Sequence, residues 1–562
     1  MDKRYLDLME KALSAYTDEH ILHYFNETKK SGLTEHGFPR LTANIGILVA
    51  NGRRGDLLPI FQEMMEFCCK TIPTVKAAND FSVREMICCL EELEKHNVTP
   101  LADRSRWKGY LATIQPEQCY NVFAKLATDT PNNWALYTGV GEYFRQRMGL
   151  CQCEDFIDIQ IASQLQRFDE NGMYKDNDEG AYHQPIVYDL VARVLFSLLL
   201  FAGYRGKYFQ EIDGLLKKAG LVTLHMQSVT GEIAFGGRSN QFIFNEGLLA
   251  AIFEYEAARY QKEGAFSLAG AFKAAALQAV KAADRWLGKA PISHVKNRYD
   301  SALKFGCEGY AYFDKYMITA ASFFYAVGLF CNPSITPKEA ETPMVWSTSK
   351  HFHKTFVKAD GYSLQLDTNA DAHYDANGLG RVHKVGAPSA LCLSMPFAKT
   401  PNYETNGQEN PVSFSICPAV RLDDEKWLFG AEKDVCYSPL DGQNHEVGAH
   451  VRYLCDFCNQ ATAFFDCGID KEGVLLQVKE DLGREIGICL PIFSFDGTVY
   501  TDIVEKNNKI VVAYDGWVCE YEGGSMRYLN LDVANRNGIY KCYMAHGKKL
   551  VQVKIKIYKA GE

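Results

Sequence analysis

Leu550-Val551-Gln552-Val553-Lys554-Ile555-Lys556-Ile557 alternates apolar and polar residues along one continuous stretch. A period of two places successive side chains on opposite faces of a strand, so this stretch predicts a β-strand with one buried face. Similar strand patterns recur upstream, with turn residues such as Asp496-Gly497 between them, at 356–358, 362–366, 473–478 and 509–514. Many short strands separated by turns predict an antiparallel β-sandwich.

The part of the chain before residue 331 has a different period. Apolar residues recur every three or four positions at 5–13, 57–67 and 83–93, which is typical of amphipathic helices. Further helices are predicted at 116–127, 134–148, 153–166, 184–203, 207–219, 241–262, 266–287 and 309–329. Helices that follow one another without intervening strands predict stacked hairpins closed into an (α/α) toroid, although no repeat of fixed period is present.

Prolines mark the change from one pattern to the other. Asn332-Pro333, Pro337 and Pro343 fall within 331–345, which we interpret as a linker. Runs of helices followed by runs of strands indicate separate domains. We therefore predict an α-then-β multidomain chain, with a catalytic (α/α) toroid at 1–330 and an antiparallel β-sandwich at 346–562.

Composition and net charge limit where the protein can be located and what it can bind. The most apolar run, 187–202, contains Asp189 and Arg193, so it predicts a buried helix and no membrane partner. The first residues lack the apolar core of a signal peptide, and 18 cysteines without a regular framework favour a reducing compartment. We therefore predict a cytoplasmic protein. The net charge of −9 argues against nucleic acid as a partner.

The first candidate site segment is 231–247, where a double glycine precedes Arg238, Ser239, Asn240 and Gln241. We place these residues at the start of a helix. Helix N-termini favour anions, and an arginine can clamp a carboxylate with two hydrogen bonds. The alternative is an ordinary capped helix with a surface arginine.

Three phenols define the second candidate segment, at 307–316. Tyr310, Tyr312 and Tyr316 could transfer protons if their pKa values are shifted. They could equally be core residues whose hydroxyls reach water.

The third candidate segment, 370–384, opens the strand-rich half with His373, Arg381 and His383 in a Gly-rich context. We favour a site loop over a polar hairpin that turns at Asn377-Gly378. Further substrate-binding candidates are His183, Tyr188 and Trp134. The alternatives there are a helix cap for His183 and a core position for Trp134.

Cofactor motifs are weak. Cys455-x-x-Cys458 with Cys467 is an incomplete zinc pattern, and His351-x-His353 is better explained by surface or core histidines. No Gly-rich loop has the spacing of a nucleotide-binding site. We expect no cofactor, with a structural metal left open.

Together these segments resemble polysaccharide lyases of the heparinase II/III-like and alginate-lyase type, which pair an (α/α) toroid with a β-sandwich. Asn240-Gln241 resembles their Asn-His element, although Gln241 stands where many relatives have histidine. Glu308-Gly309-Tyr310-Ala311-Tyr312 is similar to their Glu-Gly-x-x-Tyr element, which implies that Tyr312 transfers a proton. The resemblance implies His373 as the histidine from the sandwich, with His383 as the alternative. The stretch at 403–410 also resembles toroidal chondroitin and hyaluronate lyases.

The resemblance implies β-elimination on uronic-acid-containing oligosaccharides. Asn240, Gln241 and Arg238 would neutralise the substrate carboxylate, so that the C5 proton can leave. This hypothesis requires Asn240, Tyr312 and His373 to meet at one sugar ring. The partner would be an anionic oligosaccharide, and a homo-oligomer is compatible with the sequence.

Two alternatives remain. The first is hydrolysis that releases a terminal uronic acid, which needs a pair of carboxylates. The candidates are Glu246, Glu308, Asp314, Asp371, Asp178 and Glu179. The second is a non-catalytic carbohydrate-binding protein.

Overall fold

A computed structural model describes residues 2–177, 183–339, 344–422, 426–445, 448–506 and 508–561. Helices occupy the first part of the chain and antiparallel strands the second, which confirms the predicted fold class. The α-helices of the described residues are α1 (Lys3–Leu13), α2 (Asp18–Ser31), α3 (Gly37–Ala50), α4 (Leu58–Thr71), α5 (Val83–His96), α6 (Leu101–Ala112), α7 (Pro116–Cys119), α8 (Trp134–Arg147), α9 (Glu154–Leu165), α10 (Ile186–Phe201), α11 (Phe209–Met226), α12 (Phe244–Lys262), α13 (Phe266–Leu287) and α14 (Phe313–Phe330).

Six of the described helices form a closed inner ring. Helix α3 packs on α5, α5 on α8, α8 on α10, α10 on α12, α12 on α14, and α14 packs back on α3. Helices α1, α4, α9, α11 and α13 pack around this ring. Because an outer helix brings the chain back before each inner one begins, the inner helices run in one direction. Their N-termini therefore gather at one end of the toroid.

Burial explains why some helices are easier to recognise than others. Helix α3 is buried along its whole length, so it lacks the polar face that gives a helical period. The helix predicted at 116–127 is wrong beyond Cys119. The carboxylate of Asp80 accepts hydrogen bonds from the backbone N–H groups of Asn121 and Val122 and holds that segment as a loop. Helix α11 extends beyond its predicted end, to Met226.

The strands of the described residues form three antiparallel sheets. Their orders are β1-β2-β3-β4, β12-β13-β14-β17-β10-β9-β8-β7 and β15-β16-β11-β5-β6. The bounds are β1 (Met344–Ser347), β2 (Lys354–Ala359), β3 (Tyr362–Asp367), β4 (Gly378–Lys384), β5 (Pro418–Arg421), β6 (Trp427–Phe429), β7 (Val435–His445), β8 (Gly448–Phe457), β9 (Thr462–Asp470), β10 (Gly473–Lys479), β11 (Glu485–Phe495), β12 (Asp502–Lys506), β13 (Lys509–Tyr514), β14 (Trp517–Glu522), β15 (Ser525–Asn535), β16 (Gly538–Lys548) and β17 (Leu550–Lys559).

Strand β3 shows how the two halves of the chain join. All its residues are buried, and they alternate between two environments. Leu364 and Leu366 belong to the apolar core of the strand half. Gln365 points the other way, accepting a hydrogen bond from the backbone N–H of Phe235 and donating one to its carbonyl. The sheet β1-β2-β3-β4 therefore lies between the toroid and the rest of the sandwich.

Two further observations concern membrane-spanning helices and the state of the cysteines. No helix in the described part of the chain is long and apolar enough to cross a bilayer. All 18 cysteines are free thiols, most of them buried.

Candidate functional site

A cavity of about 410 Å³ lies where the inner helices begin. Arg40 comes from the first turn of α3, Tyr188 from that of α10, and Lys315 and Tyr316 from that of α14. The complete lining is His36, Arg40, Ala78, Phe81, Val122, Asn132, Asn133, Trp134, Tyr137, Val187, Tyr188, Val191, Arg238, Ser239, Phe244, Tyr310, Lys315, Tyr316, Thr319 and Phe323. We call this space the toroid cavity.

The toroid cavity is built to attract anions. Arg40, Arg238 and Lys315 line it, whereas no aspartate or glutamate does so among the described residues. The helix N-termini around it add positive partial charge, because their first N–H groups have no partner within the helix. A concave site with one sign of charge concentrates ligands of the opposite sign, even on a protein with a net charge of −9.

Arg238 is held in place by a buried carboxylate and an aromatic ring. Its Nη2 lies 2.5 Å from Oδ2 of Asp176, and its guanidinium lies 4.6 Å from the centre of the Tyr188 ring. Burial lowers the pKa of Arg238, but Tyr188 and Asp176 outweigh that effect and raise it. Asp176 is fully buried while 34% of the arginine side chain is exposed, so the charge that a ligand meets is positive.

Ser239 links two phenols in the cavity wall. Its hydroxyl lies 2.9 Å from that of Tyr310 and 3.1 Å from that of Tyr188. Burial raises the pKa values of Tyr310 and Tyr188, so both remain protonated at neutral pH. Burial also raises the pKa of Tyr316. These phenols therefore keep their protons at neutral pH and can donate hydrogen bonds to a ligand.

His36 and Arg40 carry buried polar atoms without partners among the described residues. These atoms are Nδ1 of His36 and Nη2 of Arg40. Burial, with the nearby charges of Arg40 and Lys315, holds the pKa of His36 well below its usual value. The imidazole is therefore neutral. Unpartnered buried polar groups are rare, and a ligand in the toroid cavity would satisfy both.

Arg40 is anchored on its other side. Its Nε lies 3.0 Å from Oε1 of Glu85, and its Nη1 donates to the hydroxyl of Thr319 over 2.6 Å. Burial lowers the pKa of Arg40, but the charge of Glu85 outweighs that effect and raises it. Like Arg238, this cation is fixed by a buried carboxylate that does not itself line the cavity.

Five of the predicted site residues line the toroid cavity. They are Arg238, Tyr188, Trp134, Tyr310 and Tyr316.

Asn240 and Gln241, which were predicted to contact substrate, do not line the toroid cavity. Both are fully buried. Asn240 donates to the carbonyl of Ala234 and accepts a hydrogen bond from Gln241 over 2.8 Å. Gln241 accepts a hydrogen bond from Asn537 in the strand half. Their polar groups thus hold the 234–241 segment and join the two halves.

Tyr312 and His373, which were predicted to meet Asn240 at one sugar ring, do not line the toroid cavity. Tyr312 precedes α14, and its ring contacts the ammonium group of Lys315 at 5.1 Å from the ring centre. Burial, then Glu35, raises the pKa of Tyr312 to about 12. His373 is exposed, and its Nδ1 lies 3.1 Å from the carbonyl oxygen of Thr400.

The remaining histidine and arginine candidates also lie elsewhere. Arg381 is buried between the halves, where its Nε donates to the carbonyl of Ser394 and its Nη1 to that of Ile233. His383 is buried in the same interface, with Nδ1 2.6 Å from the hydroxyl of Ser228. Nδ1 of His183 lies 2.8 Å from the carbonyl oxygen of Asn369. These three predicted binding residues therefore hold the joint between the halves.

The carboxylates proposed for hydrolysis are engaged outside the toroid cavity. Glu246 pairs with Lys296 at 2.5 Å, and Glu308 pairs with Arg536 at 2.7 Å. Asp314 lies 2.7 Å from Nε2 of His20. Asp371 accepts a hydrogen bond from the backbone N–H of His373. Asp178 and Glu179 lie outside the described residues.

Sequence reasoning missed His36, Arg40 and Lys315. Each lies within the first turn, or just before it, of an inner helix, at Gly37–Ala50 or Phe313–Phe330. Recognising them from sequence would have required knowing which helices form the inner ring.

Two comparisons with known proteins gave no match. No model of a known protein family matches the chain. No curated protein matches it either.

Solved structures are similar to this chain over most of its length. A heparinase III structure covers 94% of this chain and 77% of its own, with 8% identity and a TM-score of 0.48. A mutant of the heparan sulfate lyase HepC from Pedobacter heparinus covers 94% and 76%, with 10% identity and a TM-score of 0.46. A chondroitin lyase that is a baculovirus envelope protein covers 93% and 76%, with 8% identity and a TM-score of 0.44.

Proposed function

We propose that this chain cleaves uronic-acid-containing oligosaccharides by β-elimination and that the toroid cavity holds the uronate. One observation carries the proposal. The described lining combines three cations, a neutral imidazole and protonated phenols, and it contains no carboxylate. This set of groups suits elimination next to a carboxylate better than it suits hydrolysis.

Binding would use charge and aromatic rings together. The uronate carboxylate would meet Arg238, and Arg40 and Lys315 would add to the same positive field. Trp134, Phe81 and Tyr137 present apolar surface for the C–H faces of a sugar ring. Phe81 lies edge-on to both other rings, with centroids 4.7 Å from Trp134 and 4.5 Å from Tyr137, so this surface is rigid.

The chemistry would begin at C5 of the uronate. Neutralising the carboxylate stabilises the anion that forms when the C5 proton leaves. His36 would take that proton on Nδ1, which has no partner among the described residues. Burial, then the charges of Arg40 and Lys315, lower the pKa of this imidazole, and the negative charge of a bound uronate would offset those two charges. The C4–O bond then breaks, its electrons leave with oxygen, and a C4–C5 double bond forms. Tyr310 would protonate the leaving oxygen.

The two proton-transfer roles thus fall on residues other than Tyr312 and His373. The resemblance implied a tyrosine and a histidine as the proton-transfer pair. The cavity supplies the same two residue types from other positions, Tyr310 and His36. Gln241, which stands where relatives have histidine, then needs no catalytic role.

Hydrolysis remains the competing reaction. It needs two carboxylates at the scissile bond, and the described candidates are paired or bonded elsewhere. Elimination adds no water and leaves a sugar with a C4–C5 double bond, whereas hydrolysis adds water and leaves no double bond.

The test is product analysis on a panel of uronate oligosaccharides that differ in the uronic acid and in sulfation. The proposal expects a product with a C4–C5 double bond, detected by ultraviolet absorbance and by a mass that lacks one water. Arg238→Ala should reduce kcat/KM strongly, whereas Arg106→Ala on the exposed outer surface should not. Products that have gained water would support hydrolysis, and binding without turnover would support the non-catalytic alternative.

A further inference from the structure

A pair of thiols lies between α8 and α9, apart from the toroid cavity. Cys151 and Cys153 belong to the connection between these helices, and Cys153 is the residue directly before α9. Both thiols are half-buried. Their sulfur atoms lie 3.3 Å apart.

A buried carboxylate completes the cluster. Oε2 of Glu142, from α8, lies 3.7 Å from Sγ of Cys151. One ligand atom from each of the three residues lies within 4.8 Å of the others. Among the described residues, this is the one group of three or more potential metal ligands that meets this spacing.

These separations resemble the edges of a metal coordination tetrahedron. Zinc binds thiolate sulfur at about 2.3 Å and carboxylate oxygen at about 2.0–2.2 Å, which places tetrahedral ligand atoms roughly 3.5–3.8 Å apart. The 3.7 Å between Cys151 and Glu142 lies within this range, and the 3.3 Å between the two sulfur atoms is slightly shorter. Because the thiols are half-buried, a water molecule could take a fourth position.

We propose that Cys151, Cys153 and Glu142 form a binding site for a thiophilic divalent cation of the Zn²⁺ type. The site combines two soft sulfur ligands with one oxygen ligand, a set that selects such a cation over Mg²⁺ or Ca²⁺. Two thiolates and one carboxylate carry three negative charges. Divalent metal and the neighbouring Arg145 together balance them.

The carboxylate is already oriented for this role. Arg145 Nη1 lies 2.7 and 2.6 Å from the two oxygens of Glu142, and the hydroxyl of Tyr120 donates to Oε1. Arg145 in turn donates to the backbone carbonyl of Leu111. Partners of this kind fix the direction of a metal ligand and are a regular part of metal sites.

The metal would act on structure and not on substrate. It would bind α8 to the start of α9, since Glu142 lies in one helix and Cys153 adjoins the other. None of the three ligands lines the toroid cavity, and along α8 Glu142 lies roughly 12 Å from Trp134 and roughly 7.5 Å from Tyr137 at 1.5 Å per residue. Metal binding is therefore expected to raise thermal stability, because the ligands come together only in the folded chain.

Co²⁺ binding to the reduced, chelator-treated protein tests this site. Thiolate coordination gives a charge-transfer absorption band that carboxylates alone do not give. Wild type should bind one equivalent with this band, and Zn²⁺ should displace it. The double variant Cys151→Ser/Cys153→Ser should lose the band, while Cys436→Ser/Cys458→Ser, which removes two exposed thiols elsewhere, should keep it.

Thermal melting separates loss of the site from loss of the fold. The metal-free double variant should melt close to metal-free wild type, and Zn²⁺ should raise Tm of the wild type alone. No band in the wild type, or a band that persists in Cys151→Ser/Cys153→Ser, would overturn the proposal.

Discussion

Asp176 and Arg238 form an ion pair in the wall of the toroid cavity. The carboxylate is buried behind the wall, and the guanidinium lines the cavity. The same carboxylate accepts hydrogen bonds from the backbone and side-chain N–H groups of Asn133, at the start of α8. One buried anion thus fixes both a cation and a helix end at the site.

Asp176→Asn should therefore weaken the site without removing any group that lines it. The amide keeps a hydrogen-bond acceptor for Asn133 but loses the charge that fixes Arg238. We expect kcat/KM on an anionic oligosaccharide to fall by about tenfold to a hundredfold, since a charged hydrogen bond is worth about 1.5–3 kcal/mol. Asp213→Asn, which breaks the similar pair with Arg259 outside the cavity, should leave it unchanged. Equal losses in both variants would contradict the role of Asp176.

The pair between Glu308 and Arg536 should hold the two halves together. Both side chains are buried, and two hydrogen bonds of 2.7 and 2.8 Å join them. Glu308→Gln would leave the arginine charge buried without a counter-charge, which typically costs about 3–5 kcal/mol. We expect a clear fall in Tm by calorimetry. Glu485→Gln, in a half-exposed pair with Arg421, should lower Tm little; a similarly small effect of Glu308→Gln would refute the prediction.

Asp375 should make stability depend on pH. Burial raises its pKa from the ordinary 3.8 to about 7, against the opposing charge of Lys354. A carboxyl with a raised pKa contributes fully to stability below its unfolded pKa, and that contribution is lost as pH rises to its folded pKa. The free energy lost by pH 7 is at most about 4 kcal/mol.

Asp375→Asn isolates that contribution, because the amide imitates the protonated acid and can still accept the hydrogen bond from Gly237. The variant should be more stable than wild type above pH 7, and the difference should shrink towards pH 4. Tm measured across this range for both proteins gives the difference directly, since all other titrating groups are shared. If the difference in Tm between the two proteins stayed constant from pH 4 to above pH 7, Asp375 would not titrate as described.

Alanine substitutions at two helical glycines test how closely the helices pack. A Cβ at Gly46, in α3, would lie 2.4 Å from Sγ of Cys89 and from the Phe61 ring, whereas one at Gly214, in α11, meets nothing within 4 Å. Gly46→Ala should therefore lower the free energy of unfolding by about 1–3 kcal/mol. Gly214→Ala should raise it by about 0.5–1 kcal/mol, because alanine favours helix. Urea titration measures both, and a stabilising Gly46→Ala would contradict the close packing of α3.

Much of the fold could be predicted from local pattern. The alternation at 550–557 predicts a strand that the structure places in β17, and the period at 83–93 predicts a helix that matches α5. Helix α3 is different, because burial on every side removes the period that identifies a surface helix. Local pattern does not indicate the loop after Cys119, because Asp80, distant in sequence, binds its backbone.

The site was harder to predict than the fold. Arg238 and Tyr310 were identified because each lies in a polar or aromatic cluster along the sequence. Asn240 and Gln241 share such a cluster, yet they face the interior and bond to Ala234 and Asn537. Cluster composition cannot show which way a side chain points. His36 and Arg40 meet the other lining residues only through ring closure between α14 and α3, which no local pattern records.

The central claim is that Tyr310, and not Tyr312, faces the substrate. The most direct test compares Tyr310→Phe with Tyr312→Phe on a uronate oligosaccharide that the wild type degrades, by following the absorbance of the new double bond. We expect Tyr310→Phe to lower kcat by about a hundredfold or more and Tyr312→Phe to keep nearly the wild-type rate. Full activity in Tyr310→Phe together with loss in Tyr312→Phe would contradict the account.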